Sequence, residues 1–434
     1  MGAAELVGEL DVRVAAELTR ARDLASFFYR SLAAPLEKGA RLVLVFVAAP
    51  LLGAAAFGSY QFAGTVTSVL ASCTELGLGM RTTRALARSS GPASQVIATG
   101  LRLKAATAVP FALLVLVATL TERDAHAKEA MLALGGAALA SSFVDYFGAV
   151  LRGREDFRHE AGMNALRAAL TTGGALAGLF VSRSVLGLSL GLLVGATVSA
   201  GGGLALMMRR YDEGGHDRVA RREEPSSVLR EAIPLWVSGL LATLYFRSDI
   251  VIVRYFAGDA EVGAYAAAYR IFEGTMLVPA TIMAVVFPRL AREGDRGSEP
   301  SKLERKLVLL MLVLGLATLG VLLALDEQLV RLLLGKSFER SAASLRVLGY
   351  TVPVMFVSYA VSYFVIARGR ERGFISVLGL MLVLNVALNL VLVPRLGGVG
   401  AAWSTLITEA ALVVGACALI ARRAGAAASP PRVY

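Results

Sequence analysis

Four ionisable residues in the stretch 245–292 stand where ionisable residues are expensive. Arg247, Asp249, Arg270 and Glu273 lie inside two apolar runs on either side of a short turn read at Phe256 to Gly263. A charged side chain near the centre of a membrane helix costs at least about 2.5–3.5 kcal/mol and marks a functional site by default. Arg247 stands about nine residues before that turn and Arg270 about seven after it, which puts both roughly 10–14 Å below the outer surface, near the midplane of a core about 30 Å thick. Transporters hold their cargo at this depth. The guanidinium fork of arginine suits phosphate, and a buried carboxylate can alternate between charged and neutral forms and so couple movement to an ion gradient. Arg247 and Asp249 are two residues apart and point to different helix faces, whereas Arg270 and Glu273 are three apart and can pair. A structural arrangement also fits the spacing, with Arg270–Glu273 an intrahelical pair and Asp249 neutralising Arg247 across an interface.

Only a membrane could require such runs of apolar residues. The chain has 434 residues, 56% of them hydrophobic and only 18% charged, with a mean hydropathy of +0.64; soluble proteins carry about 25% charge. Cys73 and Cys417, and the histidines His126, His159 and His216, are too scattered to make a disulfide or a metal site. No metal and no cofactor is expected. The net charge of +11 is spread between apolar runs instead of forming a basic and aromatic patch, so nucleic acid is not a partner.

Apolar runs at about 26–48, 59–80, 98–120, 128–151, 161–182, 185–208, 231–255, 262–287, 304–325, 344–367, 373–394 and 398–421 give twelve membrane helices. Lys and Arg divide between alternate loops as thirty-two against nine, with Arg167, Arg247 and Arg270 inside helices. The excess marks the cytoplasmic side, where both termini are then placed. Residues 1–24 are polar and mixed in charge, read as a cytoplasmic amphipathic segment and not a cleaved signal. Helices 1–6 fill 25–208, a charged linker spans 209–230, helices 7–12 fill 231–421, and 422–434 form a tail. FGSYQFA at 57–63 aligns with VGAYAAA at 262–268, setting Gly58 on Gly263 and Tyr60 on Tyr265 at an offset of 205. Each half then has six helices and the same orientation, two parallel lobes about a central axis.

Further acids lie at Glu75, Asp145 and Glu409. Glu75 and Asp145 join Asp249 and Glu273 as candidates for ion coupling, although Glu75 and Glu409 could equally reach an interface or bond a neighbouring helix. Pro234, Pro279 and Pro353 fall within or near the ends of membrane helices and are hinge candidates, because proline removes a backbone donor. The glycines of GGALAG at 173–178 and SAGGGLAL at 199–206 are read as close-packing faces.

Several stretches together resemble one family. They are the R-x-D at 247–249, GDAEVGAY followed by AYR at 258–270, FPRLA at 287–291, TELGLG at 74–79, LVRLLLGKSFERSAASLRVLG at 329–349 and LNVALNLVLVPRLGGVGAAWSTLITEA at 384–410. In that order they are similar to the polysaccharide-biosynthesis branch of the MOP superfamily, which includes the Wzx-type flippases. The resemblance implies an all-α fold of two six-helix bundles forming a V around a central cavity. It also implies an undecaprenyl-pyrophosphate-linked oligosaccharide as cargo, carried across the bacterial inner membrane for surface polysaccharide such as O-antigen. Arg247 and Arg270 match the basic positions that would meet the pyrophosphate and an anionic glycan. The implied partners are this lipid-linked cargo, membrane lipid and polysaccharide assembly proteins, with the chain itself acting as a monomer. The polar extension before the first helix departs from the pattern, and the two extra C-terminal helices of lipid II flippases are not found after Arg423.

Two other classes remain in view. A drug or metabolite exporter of the same superfamily would line its cavity with acids to meet a cation, whereas arginines and acids are balanced here. An enzyme acting on lipid-linked glycans needs a large outward loop, and the longest outward segment, about 326–343, is short. No G-x-x-x-x-G-K-[ST] phosphate loop occurs, so the chain is not itself an ATP-driven pump.

Overall fold

The computed structural model describes residues 3–88, 93–211, 225–293 and 301–421, with side chains from residue 37 onward. The described residues are helices joined by short turns, with no strand among them. Helices α1 (Ala3–Glu75), α2 (Leu78–Ala87), α3 (Ala93–Thr121), α4 (Ala125–Gly153), α5 (Phe157–Ser182) and α6 (Val185–Tyr211) make the first half. The second half holds α7 (Pro225–Ala257), α8 (Asp259–Thr275), α9 (Leu277–Glu293), α10 (Lys302–Leu333), α11 (Ser341–Ala367), α12 (Glu371–Leu396) and α13 (Gly398–Ala421). The expected tail, 422–434, and most of the expected linker, 212–224, fall outside the described residues.

Eleven segments among the described residues are long and apolar enough to cross a membrane, and the protein is a multi-pass membrane protein. The eleven contain twelve passes, because α1 is broken at Gly53 (φ 77, ψ 166). The arm before Gly53 follows α5, with Glu37 paired to Arg167 and, one to two turns on, Leu44 and Ala48 packed on Ala175 and Leu179. The arm after it runs against α7, with Phe62 beneath Arg254, then Ser72 bonded to Thr243 and to the Trp236 indole. Val185, just beyond the end of α5, packs on Ala63, so both α5 and α7 end beside the same part of α1. The two arms therefore run in opposite directions.

Four expectations are corrected here. The loop expected between the first two spans shrinks to Gly53, and the turn expected over 256–263 shrinks to Gly258 (φ 82, ψ 178). A backbone with φ near +80° and ψ near 180° is open essentially to glycine alone, which lets one residue reverse the chain. The span expected to run to 80 stops at Glu75, where Leu76 (φ 53) and Gly77 (φ 65) turn left-handed before α2 begins. Gly173, Gly201 and Gly202, expected in packing faces, have no side chain or backbone of another segment against them. The other glycines of these stretches do pack: Gly174 meets the Gly191 backbone and Gly178 that of Gly187, every fourth residue, which brings α5 and α6 into backbone contact. At the linker end Asp156 caps α5, accepting from His159 and pairing with Arg210 of α6 at 2.6 Å. Burial pushes its carboxyl up, but His159 and Arg210 outweigh that and hold it below the ordinary range.

The halves join where α1 crosses α8. A Cβ on Gly58 would strike the Asp259 carbonyl and stand 2.9 Å from the Gly263 nitrogen, and a Cβ on Gly263 would strike the Ala54 carbonyl and stand 3.2 Å from its Cα. Asp259 is Ala54 shifted by the repeat offset of 205, so the crossing is reciprocal. Gly53 and Gly258 share that offset and nearly the same torsions. The internal repeat is thus carried by backbone as well as by letters. Phe57 closes the junction edge-on against Phe338, at a centroid distance of 5.9 Å.

Candidate functional site

The two glycine turns set a common depth for three arginines. Arg41 stands twelve residues before Gly53, Arg270 twelve after Gly258 and Arg247 eleven before it, about 17–18 Å along their helices. This exceeds the 10–14 Å read from the sequence because the turn is a single residue. Arg270 is buried and pairs with Glu273 on its own helix, the pairing that their spacing allowed. Glu273 also lies in the field of Arg247 and of Arg41. Arg247 makes no ion pair within 4.0 Å among the described residues; its electrostatic neighbours are Arg270, Glu273, Tyr269 and Asp249. Arg41 pairs with Glu37 at 2.9 Å, so three arginines, from α1, α7 and α8, gather with two carboxylates. Arg41, Arg270, Glu273 and Glu37 line a cavity of about 160 Å³, completed by Leu42 and Leu277.

Asp249 faces away from this cavity, as the R-x-D spacing required. It does not neutralise Arg247 by a direct pair. Asp249 is 6% exposed and accepts from the Tyr265 hydroxyl at 2.5 Å and from the Ile250 backbone at 2.8 Å. The neighbouring Ser248 hydroxyl meets Asn385 Oδ1 at 3.4 Å, which also accepts from Asn389 Nδ2 at 2.9 Å. The Asn389 Oδ1 is buried without a partner among the described residues. Nearby, Glu409 is 2% exposed and accepts from the Tyr245 hydroxyl at 2.7 Å, the inter-helix bond considered for it above. The second half therefore buries two carboxylates, each bonded to a tyrosine hydroxyl, together with a pair of asparagines on α12.

Asp145 and Glu75 come together elsewhere, lining a pocket of about 350 Å³ in the first half. Asp145 pairs with Arg167 at 2.5 Å and is 65% exposed, and Arg167 also reaches Glu37 at 3.3 Å. Pro279 lies in the first turn of α9, where its missing N–H leaves the Thr275 carbonyl without its helical donor, just at the break between α8 and α9. Pro353 is packed, since Gly315 of α10 brings its own Cα close to the Pro353 backbone. Pro234 is within α7. Pro110, Pro288 and Pro394 are also intrahelical and were not singled out by sequence.

Sequence reasoning missed Arg41, Lys104, Arg167 and Arg254 as site residues. Arg41, Lys104 and Arg254 were counted among loop charges. For Arg41 the usable signal was its distance from Gly53, once Gly53 is recognised as the repeat mate of Gly258.

The described residues form an all-helical membrane bundle of two repeated halves with arginines at mid-depth. Solved structures agree on the fold. An inward-facing multidrug resistance MATE family transporter has a TM-score of 0.71 at 17% identity, covering 89% of this chain and 92% of its own. The lipid II flippase MurJ in an inward closed conformation also gives 0.71, at 14% identity over 89% and 86%. A MOP superfamily transporter from Pyrococcus furiosus, described by a binding pocket of reverse polarity, gives 0.64 at 16% over 89% and 93%. The family model described as Polysaccharide biosynthesis protein matches residues 24–293, more than half of the chain, and the protein belongs to that family. The MatE model matches 234–391. Among curated proteins, the probable low-salt glycan biosynthesis flippase Agl15 of Haloferax volcanii is 25% identical over 177 residues, 40% of this chain. The match spans 37% of that relative's length.

Proposed function

We propose that the protein is a flippase that carries an undecaprenyl-pyrophosphate-linked oligosaccharide across the bacterial inner membrane by alternating access, with both termini cytoplasmic. The observation that carries this reading is the gathering of Arg41, Arg247 and Arg270 around Glu273, with Arg270 paired to Glu273, Arg41 paired to Glu37 at 2.9 Å and Arg247 left without an ion pair among the described residues. Arg247 is half-buried and has no ion-pair partner of its own among the described residues, and a shielded cation without a partner is costly. An anion that enters between the lobes supplies the missing partner, and arginine forks match the oxygens of a pyrophosphate. Membership of the polysaccharide biosynthesis family and the likeness to a glycan flippase support the same cargo.

Asp249 is the best placed of the coupling candidates. It is buried and hydrogen-bonded to Tyr265, and Arg247 stands two residues away on the same helix, so binding a proton or a small cation there changes the net charge beside the arginines. Glu273 serves the arginines instead, and Asp145 is held by Arg167. The MatE match over 234–391 favours a second reading, export of an organic cation. The arginine cluster opposes it, because a cationic cargo at that depth would be repelled.

Mass spectrometry of the lipid-linked glycans of cells depleted of the protein separates the two. Accumulation of a complete pyrophosphate-linked repeat unit, reversed by the wild-type gene, is expected. Unchanged lipid-linked glycans together with restored sensitivity to cationic drugs would replace flipping with export.

A further inference from the structure

The pocket in the first half, lined by Glu75, Thr83, Lys104, Ser142, Asp145 and Arg152 among others, holds one cation that the protein itself leaves unanswered. Lys104 of α3 is 6% exposed, yet among the described residues its ammonium makes neither an ion pair within 4.0 Å nor a hydrogen bond. Only the longer-range fields of Glu75 and Asp145 reach it. The other polar groups are mostly engaged: Arg152 by Glu160 at 2.5 Å, Asp145 by Arg167 at 2.5 Å, Thr83 by the Ala149 carbonyl at 2.9 Å and Ser142 by the Leu139 carbonyl at 2.7 Å. What the pocket lacks is one anionic acceptor beside Lys104 and hydroxyl donors for Glu75 and the free Asp145 oxygen.

We propose that this pocket binds one sugar of uronic-acid type within the cargo, with Lys104 pairing the sugar carboxylate and Glu75 and Asp145 accepting from its ring hydroxyls. The inference rests on the reading of the chain as a carrier of lipid-linked glycan. A volume of about 350 Å³ falls within the range of small-molecule sites. A phosphate would bring two charges against Glu75 and Asp145, and a neutral sugar would leave the ammonium that faces the pocket without the charged hydrogen bond a carboxylate supplies. A cation would meet Lys104 head-on. A chain of ion pairs links this pocket to the arginine cavity: Arg167 reaches from Asp145 to Glu37, and Glu37 lines the wall that carries Arg270.

The test uses purified full-length protein in detergent, with free glucuronate, glucose, glucosamine and inorganic pyrophosphate as separate probes and calorimetry as readout. Glucuronate is expected to bind at least about tenfold more tightly than glucose or glucosamine, the factor that one hydrogen bond to a charged group supplies. Lys104→Gln is expected to remove that preference and leave pyrophosphate affinity unchanged, whereas Lys104→Arg keeps part of it. Arg247→Ala is expected to do the opposite, losing pyrophosphate and keeping glucuronate. Equal affinity for glucuronate and glucose in the wild type overturns the proposal, as does wild-type glucuronate affinity in Lys104→Gln. Should Lys104→Gln fail to fold, the ranking of the three sugars by the wild type still decides. Pyrophosphate binding reports on the flippase reading alone, so the two ideas fail separately.

Discussion

Arg254 and Glu122 join the two halves of the chain at the end where Gly53 and Gly258 turn. The Arg254 Nη2 lies 3.3 Å from Glu122 Oε1, its Nε lies 2.8 Å from Asp259, and its guanidinium sits 4.4 Å above the centre of the Phe62 ring. Glu122 ends the α3 side of the first half, Arg254 ends α7 of the second, and both are largely shielded from solvent. Together with the Gly58–Gly263 crossing they hold that end of the lobes shut.

If this pair closes the lobes, Arg254→Gln weakens the closed arrangement by up to about 3 kcal/mol, the cost of stranding one member of a shielded pair. A cysteine introduced by Tyr60→Cys should then react several-fold faster with an impermeant maleimide offered from the Gly53 side. An unchanged labelling rate would show that the glycine crossing closes the lobes by itself.

Arg247→Ala should reduce transport of the lipid-linked cargo by about two orders of magnitude, as truncating one member of a shielded charge pair does, while the protein still inserts. Arg247→Lys keeps the charge but not the fork and should retain part of the activity. The measurement is the pool of accumulated lipid-linked repeat unit. Normal export by the alanine variant would take Arg247 out of the site.

Asp249→Asn preserves shape and hydrogen-bonding capacity and removes the charge. Transport by reconstituted protein should continue down a cargo gradient and stop responding to an imposed proton or sodium gradient. Tyr265→Phe, which deletes the 2.5 Å hydrogen bond to Asp249, should shift the pH at which transport is half-maximal. Gradient-driven transport by Asp249→Asn would pass the coupling role to another carboxylate.

Two pairs of glycines should fail for different reasons. Gly53→Ala and Gly258→Ala meet no neighbour within 4 Å, so their cost of about 1–3 kcal/mol comes from the backbone and should not grow when leucine replaces alanine. Gly58→Ala and Gly263→Ala meet backbone of the opposite half; these cost about 1–3 kcal/mol as overpacking and should worsen with side-chain size. Thermal unfolding of the purified variants distinguishes the two.

Much of the architecture was legible because the bilayer imposes a simple length rule, and because Arg247, Asp249, Arg270 and Glu273 violate it visibly. Helical spacing alone also separated Asp249 from Arg247 and paired Arg270 with Glu273. The repeat was legible at Gly58 and Gly263, though not its meaning, since a sequence offset does not say that equivalent residues touch. Arg41 and Lys104 fall inside the expected spans 26–48 and 98–120, yet charge counting assigns a basic residue near a span end to the loop beside it. For Arg41 the turn at Gly53 fixes the depth, whereas no turn of that kind stands near Lys104 among the described residues. The Arg254–Glu122 pair joins residues 132 apart, and nothing local encodes it.

The crossing of α1 and α8 has the logic of an isologous dimer. Gly58 packs on Asp259, and Gly263 packs on Ala54, the repeat mate of Asp259; in a two-fold interface residue i meets j while j meets i. Either half thus carries both members of the contact, the small residue and the backbone it accepts. A polypeptide of half this length could pair with its twin through the same surface, and the long single chain keeps that dimer's geometry while freeing each side to specialise. One half has placed two arginines at mid-depth and a buried aspartate behind them; the other has placed a lysine in a pocket.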